Sequence, residues 1–222
     1  MKLYATNPVF ITGGTGYIGR RIIKILSKEG FTVIALVRQQ SMDKLPAGCS
    51  AVIADPFDHN SYAHLIPPNS IFIHLLGVSH PGPKKAAQFY SVDLASAKQS
   101  VEAAVKAGVR HFIYVSVAQT PTKIMAAYQD ARAQGEKAIT ASGLKATFIR
   151  PWYVVGPGHY WPLFFWPVIK VMEWIPSTSQ KAKLLGLITI KQMLRALKRT
   201  VTDPAATKIS ILEISDIRKL HR

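Results

Sequence analysis

Cysteine occurs once in 222 residues, at Cys49, so neither an intramolecular disulfide nor a thiolate metal cluster is available. No metal site is expected, and a reducing cytoplasmic compartment is the expected setting. Acidic side chains are scarce as well: 12 Asp and Glu stand against 28 Lys and Arg, for a net charge of +16. Such an excess suits a phosphate-bearing ligand, an anionic membrane surface or a nucleic acid. The cations are spread along the chain with a modest concentration from Lys181 to Lys208, and no zinc-finger, homeodomain or RNA-recognition signature accompanies them. A nucleic acid is therefore not an expected partner; a solvated basic surface and attraction of a phosphate ligand are the plainer readings. Long apolar runs are missing too. None precedes the first glycines in the manner of a signal peptide, and the most apolar segment, Trp161 to Ile169, is too short to cross a bilayer and runs into Lys170 and Glu173. No transmembrane segment is expected.

What the chain does have is apolar material, 48% of its residues, enough for one sizeable core. Its length suits a single α/β domain with room for a small appended lobe. The organising stretch is Pro8 to Arg20. The run Val9-Phe10-Ile11 reads as a buried strand, Thr12-Gly13-Gly14-Thr15-Gly16 breaks it into a turn, and Ile18, Ile22, Ile25 and Leu26 recur at helical spacing from Tyr17 to Glu29. Strand, glycine loop and helix in that order are the context of a dinucleotide fingerprint. Gly13 permits the tight turn, Gly16 a close approach of backbone to a pyrophosphate, and Gly19 close packing of helix on strand. The helix then offers free N–H groups and the positive end of its dipole to phosphate.

Further strands follow at Phe31–Val37, Cys49–Ala54, Ser70–Leu75 and Val109–Ser116. A helix is predicted from Lys84 to Ala107, stopping at Gly108. Nearly continuous apolar strands joined by helices argue a doubly wound parallel sheet. The second strand ends in Arg38-Gln39-Gln40, where an acid would hold the ribose 2′-hydroxyl of NAD. A guanidinium there suits a 2′-phosphate instead, so NADP(H) is preferred over NAD(H); the same arginine would equally serve as a surface cap of the strand. Asp55-Pro56 also fits a simple turn cap. His74 lies inside a strand and reads as a packed core histidine.

The loop Thr12-Gly-x-x-Gly16-x-x-Gly19, the segment "AGVRHFIYVS", and "RAQGEKAITASGLKATFIRPWYVVGPG" together resemble the atypical and extended branches of the short-chain dehydrogenase/reductase superfamily over essentially the whole chain. The tail, "LGLITIKQM" followed by "ILEISDIRKL", is similar to bacterial epimerase-like proteins. The resemblance implies a Rossmann domain over 1–222, with 156–222 contributing a small substrate or interaction lobe. It implies cofactor contacts from Thr12, Gly13, Thr15, Gly16, Tyr17, Ile18 and Gly19 at the pyrophosphate, and from Arg38, Asp55 and Pro56 at the adenosine end. Leu75, Leu76 and Gly77 would lie at the ribose, and Pro151, Trp152, Tyr153 and Val154 at the nicotinamide end. For chemistry, Tyr128 and Arg132 align with the family's Tyr-x-x-x-Lys, and Ser116 ends the strand that supplies the family's hydroxyl. On a helix the i, i+4 spacing puts Tyr128 and Arg132 on one face. Tyrosine transfers a proton, the cation supports it and holds the ribose, and the hydroxyl orients the carbonyl. Two positions depart from that pattern: arginine replaces lysine, and Val117 stands where the hydroxyl usually lies, with Thr120 or Thr122 as substitutes from the loop.

The stretch from His159 to Pro167 is unusually aromatic, and apolar pocket lining, a homo-oligomer surface and a peripheral membrane contact all suit it. The expected function is that of an NADP(H)-dependent oxidoreductase on an apolar small-molecule carbonyl or alcohol. The alternative is a cofactor-sensing regulator of the NmrA type that does not turn over.

Overall fold

The computed structural model describes residues 7–120, 125–160 and 186–220. Thr122, the aromatic residues from Trp161 to Pro167 and the start of the basic segment at Lys181 lie outside the described residues. Seven parallel strands form one sheet in the order β3-β2-β1-β4-β5-β6-β9. They are β1 (Val9–Thr12), β2 (Val33–Val37), β3 (Ser50–Ile53), β4 (Ile71–His74), β5 (His111–Val115), β6 (Ala146–Ile149) and β9 (Ile209–Leu212). This is a Rossmann-like α/β fold, with the strand order reversing between β1 and β4. Two short strands, β7 (Tyr153–Val155) and β8 (Leu187–Thr189), pair in parallel beside it.

Alternation along each strand divides the core. Val9, Ile11, Ala35, Ile71, Ile73 and Ile113 face one side, where α1 (Gly19–Lys28) packs through Ile22, Ile23 and Leu26. The same side takes α4 (Ile190–Thr202) through Met193 and Leu197, and α5 (Ile214–Lys219) through Ile214 and Ile217. Phe10, Phe72, Phe112, Tyr114 and Phe148 face the other side, under α2 (Ala95–Ala107) and α3 (Ala126–Ala141). Residues 190–220, the end of the segment assigned to a lobe from sequence, thus lie on the main sheet. Arg150 ties them there, reaching Glu136 of α3 at 2.5 Å and Glu213 at 2.8 Å.

The helix predicted from Lys84 to Ala107 is not continuous. A 3-10 turn at Pro83–Lys85 and one α-helical turn at Ala86–Gln88 lead into a π-helical stretch, Phe89–Leu94, before α2 begins. Hydrogen-bonding i to i+5 re-aims the side chains, so that Phe89, Asp93 and Leu94 all turn inward. A carboxylate on that inner face needs a partner, and it sets up the site described below.

His74 is fully buried, with Nδ1 within 2.9 Å of Thr12 Oγ1 and 3.0 Å of Ser100 Oγ. Burial holds its pKa down to about 3, with the Arg132 charge adding to the effect, and His111, buried beside Thr147, is lowered to about 4. Below pH 6.5 the unfolded chain protonates both rings while the folded chain refuses the protons, so stability falls as pH drops from 6.5 toward 4. Urea unfolding followed from pH 7.5 to pH 5 is expected to show a loss of about 2 kcal/mol per histidine at the lower pH. A stability that does not change over this range would contradict it.

Candidate cofactor and active site

The turn after β1 is built for contact with backbone. Gly13 has φ +73°, and a Cβ on it would lie 2.7 Å from the Leu75 carbonyl carbon and 2.8 Å from the Leu76 nitrogen. A Cβ on Gly19 would collide with the Gly13 carbonyl oxygen. The loop therefore closes onto both the helix start and the end of β4, as the glycine spacing requires. Within the turn the Gly16 N–H donates to the Gly13 carbonyl (3.0 Å) and the Arg20 N–H to Gly16 (3.1 Å). Among the described residues no hydrogen bond uses the amides of Tyr17, Ile18 or Gly19, and α1 has neither a side-chain cap nor an acid in its first turn. Uncapped amides at a helix N-terminus, reached over a side-chain-free loop, fit a diphosphate. Thr12 is buried against His74 and faces the core, whereas Thr15 and Tyr17 are half-buried at the turn.

At the adenosine end, Arg38 is exposed just past β2. Asp55 is exposed past β3, and its Oδ1 accepts the Phe57 N–H at 2.9 Å, so the aspartate closes a turn; Pro56 beside it is buried. Beyond β4, Leu75, Leu76 and Gly77 are half-buried. Gly77 sits against a buried ion pair that sequence reasoning missed. The Arg132 Nη2 lies 2.5 Å from Asp93 Oδ1, with both side chains almost fully buried, and Asp93 Oδ2 accepts the Val78 N–H at 3.0 Å. The Arg132 Nη1 donates to the Val115 carbonyl at 3.0 Å. One guanidinium and one carboxylate therefore join α3, the π-helical stretch and the ends of β4 and β5. Burial raises the Asp93 pKa, with Arg132 pulling the other way. An aspartate within an apolar helical run was the available signal.

Tyr128 lies one turn before Arg132, half-buried, its ring 4.9 Å from that of Phe89 and 5.4 Å from the Arg132 guanidinium carbon. It lines a pocket with Pro81, Val117, Met125, Trp152, Tyr153 and His159. Ser116 does not line it. Its Oγ is buried with no hydrogen-bond partner among the described residues, because successive residues at the end of β5 point to opposite sides and Val117 takes the pocket side. Thr120 is buried too, its carbonyl, like that of Ala118, accepting from Gln129 Nε2 at 2.6 Å. Pro151 accepts the Ala118 N–H at 3.0 Å, holding the loop after β5 against the one after β6. Trp152 and Tyr153 meet edge to face, and Val154 pairs with Ile188. At the mouth, the His159 ring lies 5.4 Å from Tyr17 and 5.9 Å from His80, and burial together with His80 lowers its pKa. Pro81, Met125 and His159 come from three loops, and nothing in the local sequence joins them. The pocket walls are mostly apolar, with polar tips at Tyr128, Tyr153 and His159.

Residues 13–156, from the glycine turn to the end of β7, match the model of a family described as NAD(P)H-binding. The chain belongs to that family. Among curated relatives, this NAD(P)H-binding protein is 26% identical over 221 residues to a ceramide reductase of Caulobacter vibrioides, covering 99% of this chain and 68% of that protein. It is 28% identical over 151 residues to an uncharacterised sugar epimerase of Bacillus subtilis, covering 64% of this chain and 70% of the other. Solved structures similar in fold include a UDP-galactose 4-epimerase (TM-score 0.70, 17% identity, 92% of this chain and 76% of that one). The Bordetella bronchiseptica enzyme WbmH in complex with NAD+ is another (TM-score 0.69, 21% identity, 94% and 75%). The fold is thus the one these epimerase and NAD-bound enzyme structures share.

A side chain at position 77 has no room: a Cβ there would overlap the Arg132 guanidinium and lie 2.7 Å from Asp93 Oδ1. Gly82, in the same loop, has nothing within 4 Å of the corresponding point. Gly77→Ala is therefore expected to cost about 1–3 kcal/mol in urea unfolding, and Gly82→Ala less than about 0.5 kcal/mol. Equal midpoints for the two variants would contradict the packing described.

Proposed function

We propose that this protein is an NADP(H)-dependent oxidoreductase acting on an apolar carbonyl or alcohol, with Tyr128 as the group that gives or takes the proton at the substrate oxygen. The observation that carries the reading is that Tyr128 presents a phenol to a largely apolar pocket at the strand ends, beside the loops after β4, β5 and β6. Residues 13–19 would hold the pyrophosphate, Arg38 the 2′-phosphate, Leu75 to Gly77 the ribose and Pro151 to Val154 the nicotinamide end. When bound, the cofactor supplies or accepts hydride. The residues of the chain do the rest. Val117, Met125 and Trp152 exclude water from the reacting oxygen and favour an apolar substrate over a sugar nucleotide. Arg132, committed to Asp93 and Val115, serves as a positioning residue: it fixes the Gly77–Val78 strand end and adds positive potential near the Tyr128 ring. The small substrate or interaction lobe is proposed for the segment 156–222, whose residues 190–220 also pack on the main sheet. A relative matched along this whole chain is named for reducing ceramide, a lipid, which supports an apolar substrate.

A second reading, a redox sensor of the NmrA type without turnover, is favoured by one observation. Neither the Ser116 hydroxyl nor the Arg132 cation lines the pocket, so two of the three family roles are unfilled there. The two readings part in one experiment. NADPH oxidation is followed at 340 nm with a panel of aliphatic ketones of increasing chain length, on wild type and Tyr128→Phe, with cofactor affinity measured by fluorescence in parallel. The oxidoreductase reading expects turnover that grows with chain length, NADPH bound more tightly than NADH, and a loss in kcat of about 100-fold or more in Tyr128→Phe at unchanged NADPH affinity. Turnover untouched by the substitution would overturn the assignment. Tight NADPH binding with no turnover on any ketone would favour the sensor.

A further inference from the structure

The net charge of +16 is not distributed evenly over the two helical layers. On the side of α1 and α4, the exposed cations Arg20, Lys24 and Lys28 recur at i, i+4 and i+8, and Lys191, Arg195 and Arg199 repeat the same spacing. Neither helix contains an acid within its bounds; the nearest are Glu29, paired with Lys198 at 2.5 Å, and Asp203, paired with Arg199 at 2.7 Å. The Lys198–Glu29 bridge joins the two helices side by side, so the two stripes share one face. On the opposite layer the i, i+4, i+8 positions of α2 read Lys98, Glu102, Lys106, and the exposed charges of α3 are Asp130 and Lys137. There the charges neutralise one another.

Like charges four residues apart oppose helix formation, and cations in the first turn oppose the helix dipole. Arg20 in α1 and Lys191 in α4 do both. Two such helices laid side by side are an arrangement that folding disfavours, so its reason lies outside the chain. We infer that the α1–α4 face is a docking surface for an anionic lipid bilayer. Each stripe runs about 12 Å, eight residues at about 1.5 Å each, along helices of 10 and 13 residues about 10 Å apart. That is a flat, broad array suited to headgroups spread in a plane. A nucleic-acid groove calls for a protruding element, and both helices here lie flat on the sheet with their apolar sides buried. The choice of a bilayer also leans on the proposed apolar substrate, which would be drawn from such a phase; the test below uses neither cofactor nor substrate, so it fails separately from that proposal.

Flotation of the full chain with phosphatidylcholine vesicles, with or without phosphatidylglycerol, measures the interaction. At low salt the protein is expected to bind the phosphatidylglycerol vesicles at least about tenfold more tightly than the neutral ones, and to release as salt rises. The pair Lys24→Glu and Arg195→Glu, which turns four like-charge helical neighbours into opposite-charge ones, should weaken binding about tenfold or more. The pair Lys98→Glu and Lys137→Glu makes the same change in net charge on the other layer and should shift binding by less than about twofold. Thermal melts confirm that the variants are folded, and the wild-type vesicle comparison stands without them. Absence of binding to anionic vesicles, equal loss in both pairs, or tighter binding to duplex DNA of arbitrary sequence than to the vesicles would each overturn the inference.

Discussion

The site depends on one buried ion pair. Arg132 and Asp93 are both withdrawn from water, and removing either would leave the other charge without compensation in an apolar surrounding, a cost of about 3–5 kcal/mol. Each member of the pair also bonds to backbone, and two tyrosine rings flank the guanidinium. Val78 donates to the carboxylate, Val115 accepts from the guanidinium, and the Tyr114 and Tyr128 rings lie 5.6 and 5.4 Å from the guanidinium carbon. Around it the backbone has been cleared. Gly77 leaves room for the guanidinium and Gly135 for the Tyr114 hydroxyl, 2.5 Å from where a Cβ would stand. Burial pushes the Tyr114 pKa up to about 12, so that phenol stays neutral beside the cation.

This explains the departure from the short-chain dehydrogenase/reductase pattern at position 132. A lysine is a point charge on a flexible stem, whereas a guanidinium can donate in two directions from one plane. Here one direction is used on Asp93 and the other on Val115, which braces the ends of β4 and β5 against α3. The cation has become part of the frame that presents Tyr128, and the π-helical stretch is what brings Asp93 to it.

Much of this was legible in the sequence, because much of it is local. The strand, glycine turn and first helix lie within twenty residues, and the β-branched runs at 9–12, 33–37, 50–53, 71–74 and 111–115 each gave a strand of the main sheet. Gly13 and Gly19 make the close backbone approaches that the glycine spacing implies, and Tyr128 lines the pocket described above. Asp93 was not legible, since a 3.6-residue period continued through Phe89–Leu94 places it one position away from where the wider helix puts it. Nor was the side taken by Ser116: a strand alternates strictly, and one residue decides between core and pocket. Pro81, Met125 and His159 meet only through the tertiary fold, and the separation of charge between the two layers is visible only once α1 and α4 are known to be neighbours.

The most direct test of the central claim is the NADPH affinity of Asp93→Ala, a residue that touches Arg132 and Val78. It is set against a buried substitution of comparable stability cost, Ile139→Ala in the last turn of α3, on the side of the sheet away from the strand ends. With both variants shown to be folded by circular dichroism, the account predicts that Asp93→Ala raises the dissociation constant at least about tenfold while Ile139→Ala leaves it within about twofold. Unchanged affinity in folded Asp93→Ala would contradict the claim that this buried pair shapes the site.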